Sequence, residues 1–203
     1  MTAARVVIFD VGGVLLDWNP RHLYRKLFDG DDGAMERFLA EVCTPDWNHR
    51  QDEGRTWAEA VAELVARFPQ HAALIDAYAA RWDEMVAGAY PDTVALARTL
   101  KTRGVPLYSL TNFSSEKFTA VRGRWDFFEL FDGILVSGEV GLAKPNPAIF
   151  RLLLDRYGLR ADECLFIDDV PANIAAAEGL GIASHLFRSA ERLADDLRAR
   201  ALL

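Results

Sequence analysis

With 203 residues, 51% of them apolar, the chain has enough length for one substantial core, or a core with a smaller insertion, and its composition excludes disorder. Thirty acidic against 23 basic residues leave a net charge of −7 with no basic cluster, which argues against nucleic acid and favours a small molecule or another protein as partner. No apolar stretch approaches the roughly 18 residues of a membrane span. Met1 to Phe9 carries one basic residue and no signal-peptide pattern, so no membrane association and a cytoplasmic location are expected.

The first predicted strand, Arg5-Val6-Val7-Ile8-Phe9, stops on Asp10 and runs into Val11-Gly12-Gly13. An apolar run of this length fits a strand buried on both faces of a parallel sheet, whose ligand sites lie beyond the strands' carboxyl ends. Asp10 occupies that position, although an Asp that merely caps the next turn has the same local sequence. Asp17-Trp18-Asn19-Pro20 then supplies turn chemistry and a helix start.

From Arg21 to about Gly88 no strand is predicted. Apolar residues recur at helical spacing, as in Trp57, Val61, Leu64, Val65 and Phe68, then Leu74, Ile75, Tyr78 and Trp82, so a bundle of about four helices is expected. After Tyr90-Pro91-Asp92 the pattern changes to alternating helices and strands, the strands being VPLYSLT, GILVS, CLFID and ASHLF. This alternation predicts an α/β fold, a doubly wound parallel sheet that the opening strand joins. Residues 1–16 and 91–203 would form a Rossmann-like core and residues 17–90 an inserted helical cap over the strand ends. The cysteines, Cys43 and Cys164, form no close pair, and Cys164 within CLFID reads as a buried reduced thiol.

Three predicted strands end in polar groups: Asp10, then Thr111-Asn112, then Asp168-Asp169. Lys144, in the loop GLAKPNP, opens toward the same edge. Two carboxylates about 4 Å apart repel by roughly 4 kcal/mol at an effective dielectric near 20, so Asp10 beside Asp168 and Asp169 calls for a cation or a proton. Mg²⁺ suits an all-oxygen set, to which the turn at Gly12 could add a backbone carbonyl. Lys144 and Thr111 would then hold phosphate oxygens while Asp10 attacks phosphorus. A solvated loop lysine and a turn threonine are the plainer readings of the last two residues, and Asn112 and Asn173 could orient a site residue or the substrate or equally cap turns.

In their order, FDVGGVLLD around Asp10, LTN around Thr111, KPNPAIF after Lys144 and FIDDVPANI around Asp168 and Asp169 resemble the motifs of the haloacid dehalogenase superfamily. The resemblance spans about Arg5 to Phe187 and extends to helical-cap members like the glucose phosphate phosphatases, which share the glycine pair after the nucleophile. It implies a phosphatase of a small phosphomonoester, a sugar phosphate being one candidate, working through an aspartyl phosphate. Asp10 would be the nucleophile, Thr111, Asn112 and Lys144 would bind substrate, and Mg²⁺ would sit on Asp10, the Gly12 carbonyl and Asp169, with Asp168 as a further candidate.

The chain departs from the family pattern at Gly12, where most phosphatases of the family keep a second Asp as general acid and base. Asp17, or His49, Asp52 and Glu53 in the polar stretch WNHRQDEG, could replace it, or that stretch could be a solvated helix end. Trp18, Trp47, Asn48, Arg50 and Gln51 are the predicted substrate contacts from the cap, although aromatic residues at such spacing more often form a cap's core. The family's dehalogenases also lack the second Asp, but in them the acidic pair is neutral, against Asp168-Asp169 here. A binding protein without turnover on the same fold is the other alternative.

Overall fold

The computed structural model describes residues 4–203. Five parallel strands form the central sheet: β1 (Val6–Phe9), β4 (Leu107–Thr111), β5 (Gly133–Val136), β6 (Cys164–Asp168) and β7 (Ala183–Leu186), in the order β5-β4-β1-β6-β7. β1 lies in the middle, with Phe9 opposite Ser109 of β4 and Ile167 of β6. The sheet has apolar layers on both faces. Val7, Phe9, Leu165 and Ile167 pack into one cluster, while Ile8, Cys164 and Phe166 pack into the other with Ile149, Phe150 and Leu153. This two-faced burial explains why β1 and β6 read as continuous apolar runs rather than alternating ones. Each large side chain so buried contributes about 1.5–3 kcal/mol.

Helices α6 (Pro91–Thr102), α7 (Ser115–Arg122), α8 (Ser137–Val140), α9 (Pro147–Tyr157), α10 (Pro171–Glu178) and α11 (Ala190–Ala199) alternate with these strands. The α/β fold therefore stands as the alternation predicted. Cys43 and Cys164 are both buried free thiols, and no helix among the described residues is long and apolar enough to cross a membrane.

The helical segment lies between the two strands of a separate antiparallel ribbon, β2 (Leu16–Trp18) and β3 (Val86–Ala89). β3 is the strand that the helical reading of residues 21–88 missed. Its sequence, VAGA, has little strand propensity of its own and becomes a strand by pairing with β2. Between them stand five α-helices rather than about four: α1 (Arg21–Leu27), α2 (Asp32–Glu41), α3 (Pro45–Asp52), α4 (Trp57–Arg67) and α5 (Ala72–Ala80), with short 3₁₀ turns around α5. Local chemistry sets their starts. The Thr44 hydroxyl accepts from Trp47 N at the head of α3, and Thr56 with Glu59 forms a capping box on α4.

An aromatic cluster of Tyr24, Phe38, Trp47, Trp57 and Tyr78 holds these helices together, with Trp47 and Tyr78 rings 5.1 Å apart and edge-on. Three bonds then tie the helices to the start of α7. The Trp57 indole donates to Ser114 Oγ at 2.9 Å, Trp57 N donates to Glu116 at 3.0 Å, and Lys117 Nζ donates to the Ala79 carbonyl at 2.8 Å. α4 and α5 are thereby fastened to the segment that follows β4.

Candidate active site

Asp10 follows the last residue of β1, and Thr111 and Asp168 are the last residues of β4 and β6, so parallel pairing brings all three to one edge. Lys144 joins them from the loop before α9. It is only 1% exposed, which disposes of the solvated-loop reading. Its Nζ lies 2.9 Å from Asp10 Oδ1 and 2.7 Å from Asp168 Oδ2.

Two asparagines brace this ion cluster. The Asn112 amide donates to the Lys144 carbonyl and accepts from the Lys144 N–H, each at 2.8 Å, and so fixes the lysine's backbone. Asn173 donates to both oxygens of Asp168 at 3.0 Å, while Val170 N donates to Asp168 Oδ1 at 2.8 Å. With Lys144 included, Asp168 already accepts at both oxygens. A carboxylate offers about four lone-pair sites, and these bonds use them. Asp168 thus acts on Lys144 in this geometry and has little left to offer an ion.

Asp169 differs. It is half-buried, and it sits so close to Gly13 that a Cβ there would lie 2.4 Å from Asp169 Oδ2. Gly13 also has φ +72°, so both backbone conformation and space demand glycine. Gly12 has no such neighbour, and a Cβ built on it meets nothing within 4 Å. The carboxylate oxygens of Asp10, Asp168 and Asp169 all fall within 4.8 Å of one another.

The electrostatics follow from this crowding. Burial pushes the Asp10 carboxyl well above its ordinary range; Lys144 opposes the shift and Asp168 adds to it. Asp169 is raised too, by burial and then by Asp168. Burial alone would lower Lys144, but Asp10 and Asp168 outweigh it and hold the ammonium above its usual value. Three carboxylates against one ammonium are a set that a divalent cation relieves, and hard oxygen donors of this kind fit Mg²⁺. Thr111 Oγ1 lies buried beside this cluster without a hydrogen-bond partner, a donor free to meet an incoming oxygen.

A cavity opens over Gly12, bounded by Trp18, Asn48, Asp52, Trp57, Trp82, Asn112, Phe113 and Ser114. Of the predicted cap contacts, it includes Trp18 and Asn48. Trp47 and Gln51 do not reach it: the Trp47 indole donates to the Ala60 carbonyl, and the fully buried Gln51 amide donates to the Trp47 carbonyl, so both serve the helical interior. Arg50 is exposed, 3.9 Å from Glu63. Trp57, Trp82 and Phe113 carry helical or loop periodicity in the sequence, which gave no sign that they form walls of a cavity.

Residues 4–181 match the family of haloacid dehalogenase-like hydrolases. The chain belongs to that family. It is 29% identical to the sesquiterpene phosphatase of Aspergillus oryzae over 89% of this chain and 88% of that protein. It is 30% identical to the phosphoglycolate phosphatase of Yersinia pseudotuberculosis, over 88% of this chain and 78% of that one. Other curated relatives are much longer, and the chain spans 17% of one and 37% of another. The fold matches a haloacid dehalogenase family enzyme of Bacteroides thetaiotaomicron solved as a magnesium complex, with a TM-score of 0.74 at 23% identity, over 97% of this chain and 100% of that one.

Proposed function

We propose that the chain is a Mg²⁺-dependent phosphomonoesterase that acts on a small phosphorylated metabolite through an aspartyl phosphate at Asp10. The observation that carries this reading is Lys144 locked between Asp10 and Asp168 at the ends of adjacent strands, with Asp169 beside them. A carboxylate, an ammonium and a hydroxyl without a partner are the parts needed to attack phosphorus and hold its oxygens. Phosphatases among the relatives support the same reading.

Val11 N–H, at 2.7 Å, and Lys144 both hold Asp10 Oδ1, which fixes the carboxylate's rotation and leaves its other oxygen to attack. Lys144 and Thr111 bind the phosphoryl oxygens. Asn112 fixes the backbone of Lys144, and Asp168, fixed by Asn173, fixes its ammonium. Asp10, Asp169 and the Gly12 carbonyl would hold Mg²⁺, which when bound neutralises charge on the phosphoryl group. Residues 17–90 act as the cap, and the substrate's organic body lies against Trp18, Trp57, Trp82 and Phe113. Such aromatic faces suit an apolar body or the apolar face of a sugar ring. A haloacid would bring its own carboxylate to a site with three, so the acidic set opposes dehalogenation.

A phosphate-release screen over phosphomonoesters, with Mg²⁺ and with chelator, tests this beside a halide assay on 2-chloropropionate. Phosphate release that needs Mg²⁺ is the expected result. Metal-independent halide release without phosphate release would overturn the reading.

A further inference from the structure

Breaking a P–O bond leaves the electron pair on the departing oxygen, and an alkoxide is a poor leaving group unless it gains a proton as it departs. The proton source must border the space that holds the organic part of the substrate. With phosphorus at Asp10, that space is the cavity over Gly12, whose wall also includes Asn112, the neighbour of Thr111. Among the residues that line it, Asp52 is the one with a titratable side chain.

We propose that Asp52, the last residue of α3, is the general acid and base of the reaction, delivered from the cap into a loop where Gly12 contributes no side chain. This rests on the phosphomonoesterase reading above. In the first step Asp10 forms the P–Oδ bond while the P–O bond to the leaving group breaks, and its electron pair takes the Asp52 proton to release an alcohol. In the second, water attacks phosphorus and gives its proton to the Asp52 carboxylate, and the P–Oδ electron pair returns to Asp10. The sum is one phosphomonoester and one water converted to one alcohol and one phosphate, with Asp52 protonated again.

The surroundings of Asp52 suit both duties. Burial pushes its carboxyl up to about 7, against the pull of the Lys144 ammonium and the Ser114 N–H, with Glu53 adding a little. Tyr78 also faces it from α5, and its own phenol is raised, chiefly by burial and in part by Asp52. A group that titrates near neutrality can give and take a proton in one cycle. Asp52 also lines a wider cleft with Pro20, His49 and Val170, the last exposed at the surface, so water has a route to it. The other sequence candidates are placed differently. Asp17 is bonded to His22 at 3.0 Å, and His49 and Glu53 pair with each other at 3.7 Å outside the cavity over Gly12.

The test is the dependence of rate on leaving-group basicity, measured with Mg²⁺ for wild type, Asp52→Asn and Asp52→Ser on a series from p-nitrophenyl phosphate to alkyl phosphates. Both variants should lose about 10²–10⁴-fold on alkyl phosphates and far less in the p-nitrophenol burst, so that the rate falls more steeply with leaving-group pKa. The fall of wild-type kcat/KM as pH rises through about 7 should vanish in Asp52→Asn. Gly12→Asp placed in the Asp52→Asn background, where the structure has room for it, should restore part of the alkyl phosphate rate. An equal loss on every substrate, or a change confined to KM, would overturn the assignment and make Asp52 a binding residue. If wild type hydrolyses no phosphomonoester in the series, the underlying phosphatase reading fails, and this assignment with it.

Discussion

The Lys144 ammonium lies 2.7 Å from Asp168 Oδ2 with both side chains out of solvent, and its second contact, 2.9 Å away, is the carboxylate of Asp10. A lysine in this position does two jobs at once. It offsets repulsion that the strand ends create, and it presents a cation where phosphoryl oxygens would sit. Lys144→Met should therefore abolish turnover and also destabilise the metal-free protein. Removing one partner of a buried ion pair costs about 3–5 kcal/mol, because the other is left uncompensated. Urea unfolding reads the effect. Stability within about 1 kcal/mol of wild type would mean that the carboxyls are neutral without the lysine.

Asn112 holds Lys144 by its backbone rather than by its charge. Asn112→Leu leaves a peptide N–H and a carbonyl without partners, each worth about 1–3 kcal/mol if buried. The lysine should shift, and kcat should fall by about 10²-fold, the size of effect that small misplacements produce. Steady-state kinetics with the protein confirmed as folded checks this, and unchanged kcat would show that Asp10 and Asp168 alone position the ammonium.

Gly13 links the strand-end loop to the proposed ion site. A methyl group there would collide with Asp169 Oδ2 and would also occupy a backbone conformation that side chains rarely adopt. Gly13→Ala should weaken Mg²⁺ binding by about 10–100-fold, as changes around metal ligands typically do. Calorimetric titration with Mg²⁺ measures it. Undiminished affinity would remove Asp169 from the ligand set.

Asp52 carries a stability signature that is separate from turnover. Its folded carboxyl is raised from 3.8 to about 7, so the native state holds that proton more tightly than the unfolded chain does. The resulting stabilisation is complete below about pH 4 and disappears as pH rises through 7. Asp52→Asn cannot lose it. Relative to wild type, the variant's Tm should rise from pH 4 to pH 8. A Tm difference that stays constant over this range would contradict the raised carboxyl.

Much of this arrangement was legible in the sequence because the sheet obeys simple rules. Apolar runs that ended on Asp10, Thr111 and Asp168 became parallel strands, and parallel strands share an edge. Lys144 was recognisable as a candidate from its loop, but its burial was not, since the two partners that make it affordable come from strands far away in the chain. An orienting role for Asn112 and Asn173 was one of two open readings, since an asparagine after a strand looks like a turn residue until its long-range partner is known; the partners, Lys144 and Asp168, decide it. β3 escaped notice because VAGA is a strand only opposite Leu16, Asp17 and Trp18. Within α3, helical spacing could not tell which polar residue faces the cavity. Gln51 turned inward and Asp52 lines the space over Gly12, although they are adjacent.

The central claim is that Asp10 becomes phosphorylated. The direct measurement is an acid quench during turnover of a phosphomonoester with Mg²⁺, followed by peptide mass spectrometry. One phosphoryl group on the peptide that contains Asp10, labile to hydroxylamine and absent from Asp10→Asn, is the predicted result. Turnover with no phosphorylated peptide, or with undiminished activity in Asp10→Asn, would contradict the account.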